Sequence, residues 1–281
     1  MTSHYRLNTR ITRTLIYIFL FILLIITIIP IWLLLVNATR STVEIQQGIS
    51  ILPSSHTVEN YNILLGRGLD LFRGLINSLF IATSVTLLTV YFSFLAAYGI
   101  VVYDFKFKRF FKGFVVLLVL IPLQLSIVGF YQYMSRLGLV DNYASLILPA
   151  IASAFAVFFG MQYFESVVIQ DLIDAGRVDG ATEIGIFHRI IFPLAVPGAV
   201  TLGIFSFIAS WNNFFNPFIL ISSVEKYTLP MLVQTLRGDM YRTEYGAIYL
   251  GIAFTIVPVI IIYVLLARYI ISGIAMGSVK E

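Results

Sequence analysis

The chain has no cysteine in its 281 residues, which excludes a disulfide framework and any thiolate metal site. Its three histidines, His4, His56 and His188, stand apart with no partners at ligand spacing, so no metal is expected. Charged residues make up only 11% of the chain. Soluble domains carry roughly 25%, so too few polar side chains are present here to cover a water-facing surface. No Gly-x-x-x-x-Gly-Lys-Ser/Thr phosphate loop occurs, and neither does His-Glu-x-x-His or Gly-x-Ser-x-Gly. No pair of acids falls within an apolar run. The reading is therefore of a chain without a catalytic site or a cofactor of its own and without a nucleic-acid partner.

What the chain has is apolar length. It is 59% hydrophobic, with a mean hydropathy of +0.94. Six long runs hold no Asp, Glu, Lys or Arg: 14–39, 74–103, 113–135, 142–164, 190–224 and 245–267. Each exceeds the roughly 18 residues that mark a candidate spanning helix. The expected fold class is an all-α membrane protein of six transmembrane helices, at about 14–36, 74–102, 113–133, 145–163, 194–220 and 246–267. The gaps at about 40–73 and 221–245 are too short for an independent core. One membrane domain, 14–267, is expected between tails at 1–13 and 268–281. The first run exceeds a signal-peptide core of about 7–15 residues. No small-x-small site follows it in Val36-Asn37-Ala38-Thr39-Arg40, so it reads as a retained anchor.

Lys and Arg in short loops set the orientation. Arg6, Arg10 and Arg13 precede the first span without an acid, and Lys106, Lys108, Arg109 and Lys112 face only Asp104 between spans two and three. The loops on the other side are balanced in charge. Both termini are expected in the cytoplasm, the chain crossing the membrane and contacting lipid. Parity places the loop 165–193 on the cytoplasmic side too. That loop carries five acids against two bases. It reads either as a solvated face or as a surface that meets a basic partner, since charge complementarity fixes docking register.

Within it, Asp171, Leu172, Ile173, Asp174, Ala175 and Val178 form an amphipathic pattern of about two turns. Gly180 breaks that helix and Thr182-Glu183 restarts one, with Ile184, Ile186, Phe187, Ile190 and Ile191 apolar at helical spacing. Pro193 suits the first turn of span five. The expected product is an L of two short helices at the membrane surface, with acids pointing outward.

Asp174-Ala175-Gly176, three residues, Gly180, nine residues, Ile190, one residue and Phe192-Pro193 resemble the cytoplasmic loop of binding-protein-dependent ABC importer permeases. That loop reads Glu-Ala-Ala, three, Gly, nine, Ile, one, Leu-Pro. Asn77-Ser78-Leu79, Ala96-Ala97-Tyr98, Gly138 to Tyr143, Leu148-Pro149, Trp211-Asn212-Asn213 with Pro217, Tyr227 to Pro230 and Ser272 to Lys280 resemble the carbohydrate branch. The resemblance runs from about residue 70 to the C-terminus, and the whole is similar to the shorter, six-span permease of maltose-type importers. Asp174 stands for the usual Glu, Gly176 for Ala, Phe192 for Leu and Ile169 for a frequent Pro. Gly176 alone is expected to weaken its helix by roughly 1 kcal/mol relative to Ala.

The resemblance implies the type I importer permease fold, with a coupling helix between spans four and five, in the cytoplasmic (inner) membrane of a bacterium or archaeon. It implies a heteromeric machine with a second homologous permease, two copies of an ABC ATPase that bind ATP and Mg, and an extracytoplasmic sugar-binding protein. Asp171, Asp174, Ala175, Gly176, Asp179, Gly180, Ala181 and Glu183 would then engage the ATPase, in rigid-body alternating access. The outer loop 222–245 would meet the binding protein. The tail 268–281 would either fray or reach toward the ATPase.

No span holds a formal charge, so an ion-coupled carrier has no buried carboxylate to use. A neutral sugar needs amides, hydroxyls and aromatic faces. Candidates are Gln124, Ser126, Gln162, Trp211, Asn212 and Asn213, although such residues more often serve as glue between helices, and Trp211 by itself as packing. Pro30, Pro122, Pro149, Pro217 and Pro258 read as kinks or as packing. The alternative within the superfamily is a permease for a polyol, glycerol phosphate or another small polar solute. A membrane enzyme lacks a catalytic constellation, and a self-sufficient channel or carrier lacks evident inverted repeats.

Overall fold

A computed structural model describes residues 2–121, 126–167, 170–237 and 243–278, with 2–11 and 265–278 as backbone only. Gln124, Pro122 and Ile169 lie outside the described residues. Among those described the chain is helical throughout, with no strand: α1 Thr2–Asn37, α2 Thr42–Gln46, α3 Thr57–Gly66, α4 Leu71–Val102, α5 Lys108–Val119, α6 Ile127–Arg136 and α7 Ala144–Ile147. There follow α8 Ala154–Val167, α9 Gln170–Val178, α10 Glu183–Ile186, α11 Phe192–Trp211, α12 Phe215–Leu220, α13 Leu229–Arg237 and α14 Tyr245–Ser278. Among the described residues, five helical segments are long and apolar enough to cross a membrane: Thr12–Asn37, Leu71–Val102, Ala144–Val167, Glu183–Trp211 and Tyr245–Val264. The run predicted as span three holds α5 and α6 on either side of 122–125.

The chain divides into two compact units. One comprises residues 1–71 and 232–256. Here the charge that ends α1 is put to structural use. Arg40 is buried and donates Nη1 to Asn37 Oδ1 at 3.1 Å and to the Gly48 carbonyl at 3.0 Å, and Nη2 to the Glu44 carbonyl. Ser41 and Glu44 form a reciprocal capping box that starts α2. Asn60 donates to the carbonyls of Ala38 and Arg40, at 3.0 and 2.9 Å. Thr42 reaches Glu244, at the start of α14, at 2.9 Å.

The second unit comprises residues 72–231 and 257–281. Its core is Phe94, Ala97 and Tyr98 of α4, Val115 of α5, Tyr163 and Phe164 of α8, and Ala195, Ala199 and Leu202 of α11, continued by Ile173, Ile186, Phe187 and Ile191. Small residues let the helices approach closely. A Cβ on Gly160 would meet Ala97 Cβ at 2.9 Å, and one on Gly198 would meet the Tyr163 ring at 2.5 Å.

Three expectations are corrected. The second arm of the predicted L is not separate: α10 runs through a π-helical stretch, Phe187–Ile191, straight into α11. Nothing between Glu183 and Phe192 breaks a helix, and Pro193, which has no N–H to bond, follows directly on the π stretch. The predicted span 194–220 stops at Trp211, where Asn213 Oδ1 accepts from Asn216 N at 3.2 Å beside the start of α12. The helix of span six continues past its predicted end at 267 to Ser278.

Candidate functional site

The loop between α8 and α11 is specified locally. Asp171 lies in the first turn of α9 and Arg177 in the last, each favourably placed on the helix dipole. Gly180 has φ 79°, a left-handed conformation open to glycine at no steric cost. Gly180 N donates to the Arg177 carbonyl and Ala181 N to the Gly176 carbonyl, both at 3.0 Å. This is the Schellman pair that satisfies the last carbonyls of a helix. Thr182 then caps α10, its hydroxyl accepting from Gly185 N at 3.1 Å. The turn from 178 to 183 is thus closed by its own hydrogen bonds.

One face of the loop is rooted and the other is bare. Ile173, Gly176, Ile186 and Phe187 are buried in the core shared by α4, α8 and α11. A Cβ on Gly176 would stand 2.9 Å from Ile190 Cδ1, so glycine here permits α9 to lie against the start of span five. The expectation that Gly176 only weakens a helix is therefore incomplete. Asp171, Leu172, Ala175, Val178, Asp179, Gly180, Ala181 and Ile184 are exposed, Val178 at 88%.

The acids do not all point outward unpaired. Arg177 donates Nε to Glu183 Oε1 at 2.8 Å and Nη1 to Asp174 Oδ1 at 3.0 Å. Gln170 adds a 3.3 Å bond to the same Asp174 oxygen. Tyr103, one residue past α4, donates its hydroxyl to Glu183 Oε2 at 2.6 Å. Burial, then this carboxylate, push the Tyr103 hydroxyl well above its ordinary value, so it stays a donor. Asp171 and Asp179 remain exposed and make no hydrogen bond or ion pair among the described residues. Nearby, His188 donates Nδ1 to the Ile184 carbonyl at 2.8 Å, which leaves Nε2 to accept from Tyr91 at 3.2 Å. Lys112 of α5 pairs with Glu165 of α8 at 2.5 Å.

The candidate solute contacts are dispersed. Ser126 is exposed at the start of α6, and Gln162 is exposed and bonds Glu165 at 3.4 Å. Trp211 is 1% exposed and stacks on Phe207 at 5.6 Å, which makes it packing. Asn212 is exposed at the end of α11. Asn213 is half-buried and lines a cavity of about 20 Å³ with Ser78, Ile81, Leu146, Ser210, Pro217 and Thr228. That volume suits one water molecule, far short of the several hundred Å³ of a ligand pocket.

Sequence reasoning missed Tyr103 and the pairing of Arg177. It also missed a knot on the side opposite the loop, where Asp141 accepts from Ser222 N at 3.0 Å, from Ser223 N at 2.9 Å and Oγ at 2.6 Å, and from Lys226 at 2.9 Å. The positive φ of Asp141, 59°, has no sequence signature beyond an aspartate after Gly138-Leu139-Val140.

Comparison with known proteins bears on these features. The model of the binding-protein-dependent transport system inner membrane component family matches residues 89–275. The arabinooligosaccharides transport system permease protein AraQ of Bacillus subtilis (strain 168) is 35% identical over 266 residues, 94% of each chain. The sn-glycerol-3-phosphate transport system permease protein UgpE of Escherichia coli O1:K1 / APEC is 27% identical, over 89% of this chain and 91% of its own. A chain in the crystal structure of a bacterial ABC transporter involved in the import of the acidic polysaccharide alginate has a TM-score of 0.80 at 22% identity, covering 92% of this chain and 96% of that one. At that identity the likeness is one of fold.

Proposed function

The chain belongs to the family of binding-protein-dependent transport system inner membrane components, and on that premise we propose that it is one permease subunit of an ATP-driven importer of a sugar or oligosaccharide. A second, similar permease closes the translocation path with it. Two copies of an ATPase, which hold ATP and Mg²⁺, dock on its cytoplasmic face, and an extracytoplasmic binding protein delivers the solute. Both termini lie in the cytoplasm. α5 and α6, with the residues between them, make the third of six crossings.

The observation that carries this reading is the construction of the 170–186 loop. Its bare face offers an apolar tip, Val178 with Leu172 and Ile184, flanked by the carboxylates of Asp171 and Asp179, which pair with nothing among the described residues. Those carboxylates suit a basic rim on the ATPase. Its inner face is part of the core of spans two, four and five. Packed cores move as bodies rather than deform, so a push on the tip rocks these spans and exchanges inward-open for outward-open states. Asp174 and Glu183 serve by holding Arg177, and so set the shape of the docking face rather than its charge.

A neutral, polyhydroxylated solute fits spans without formal charge, and the arabinooligosaccharide relative supports it. The glycerol-phosphate relative supports a second reading, a polyol or phosphorylated solute, for which the partner permease supplies the basic residue. The test is a mild-detergent pull-down from the native membrane with partners identified by mass spectrometry. Recovery of an ABC ATPase and a second permease is the expected result, and ligand screening of a co-purifying binding protein separates the two solute classes. Recovery of the chain alone and stable overturns the reading.

A further inference from the structure

Glu183 gathers donors from two elements that the chain separates widely. Tyr103 holds Oε2 at 2.6 Å from the end of α4, and Arg177 holds Oε1 at 2.8 Å from the last turn of α9. The carboxylate itself sits on the first turn of the helix that becomes span five. Span two and the loop therefore share one anchor.

A second tyrosine of α4 stands beside it. The Tyr98 ring meets that of Tyr103 edge-on at 6.0 Å and that of Phe187 at 5.3 Å. Its side chain is 3% exposed, and its hydroxyl makes no hydrogen bond of ordinary geometry, though it lies within reach of both Tyr103 and Glu183. A buried hydroxyl left unpaired is costly and uncommon, so it calls for a partner in some state of the molecule. A carboxylate accepts about four hydrogen bonds, and Glu183 has acceptor capacity left. The competing account is a static ion pair. Arg177 and Asp174 are exposed enough for their own contact to count for little. A static pair, however, leaves the Tyr98 hydroxyl beside Glu183 without a well-formed bond.

We propose that Glu183 is the positioning residue of a two-position latch: it ties span two to the loop through Tyr103 in the arrangement described, and through Tyr98 when the loop shifts. The inference rests on the coupling reading above. In it, displacement of α9 is transmitted to span two as well as to span five. The exchange of one tyrosine for the other keeps the carboxylate bonded throughout the stroke.

The experiment is hydrogen exchange on the complex purified with its own ATPase, nucleotide-free and after trapping with Mg-ATP and vanadate. In the parent protein, trapping is expected to change exchange over both 98–106 and 170–186. In the double variant Y98F/Y103F the response of 98–106 is expected to fall about tenfold or more, the size of a charge-assisted hydrogen bond. Each single variant should keep most of it, because the other tyrosine still serves. A double variant that responds like the parent, or a single Y103F that loses the whole response, overturns the latch. E183Q, which keeps the shape and weakens both bonds, should repeat the double variant and covers the case in which that variant does not accumulate. If no ATPase co-purifies, the coupling reading falls. Exchange of 170–186 in the chain alone then still reads the latch: it rises more in Y98F/Y103F than in Y103F, or the latch fails.

Discussion

Gly176 lies so near Ile190 that a methyl group on it would stand 2.9 Å from Ile190 Cδ1 and 3.2 Å from Ile186 Cγ1. Both atoms belong to flexible side chains, so a small group is accommodated and a large one is not. Gly176→Ala should change stability by less than about 1 kcal/mol, because the gain in helix propensity offsets the shift of Ile190. Gly176→Leu should destabilise by about 1–3 kcal/mol. Thermal unfolding of the purified chain in detergent checks both, and equal losses would show that the contact is rigid.

Gly198 makes the opposite case. A Cβ there meets the face of Tyr163, which has no flexible end to swing away. Gly198→Ala should therefore cost about 1–3 kcal/mol, more than the same change at Gly176. Tyr163→Leu should relieve it, so a double-mutant cycle between the two positions reads a coupling of at least about 0.5 kcal/mol.

At Gly180 the surroundings are open, with nothing within 4 Å of an added Cβ, and the constraint is the φ of 79°. Gly180→Val should strain the turn by about 1–2 kcal/mol or more, while Gly180→Asn, which tolerates this region, should cost less. If the loop couples transport to ATP hydrolysis, the valine variant inserts normally but loses uptake, and the asparagine variant retains most of it. Uptake assays on membranes with equal amounts of both proteins decide the point; normal uptake by the valine variant removes the coupling role.

The carboxyl of Asp141 is held well below the usual range, first by the Ser223 hydroxyl, then by Ser223 N–H and by Lys226. A depressed folded-state value means that the stability it contributes is present above the unfolded carboxylate value of about 4. It is lost only as pH falls through the lower folded value. Limited proteolysis of the 221–229 segment should thus be unchanged between pH 7.5 and pH 5. Asp141→Asn should expose the segment at neutral pH, whereas Ser223→Ala, which keeps the backbone N–H bonds, should do so only partly.

What was legible in the sequence follows from which effects are local. Spanning runs stand out because a charge in the bilayer is expensive at every position, so composition alone marks them. The turn at Gly180-Ala181-Thr182 was readable because a left-handed glycine and an N-cap threonine act over four residues. The break after Trp211 was missed because its cause is one amide, Asn213, inside an apolar run. The continuity of 183–211 was missed because a π stretch absorbs a register shift that periodicity does not reveal.

The sequence by itself determined that this chain lives in a membrane, and that an acidic turn lies between two of its apolar helices. These are properties of neighbouring residues and of solvent transfer. Only the tertiary structure decided which acids of that turn are free and which are paired. It also decided that Gly176 is a contact rather than a flaw, and that Tyr103, 80 positions away, donates to Glu183 at 2.6 Å. Those outcomes depend on how α4, α9 and α11 pack against one another. Packing is a cooperative choice among many side chains, and a linear pattern does not encode it pair by pair.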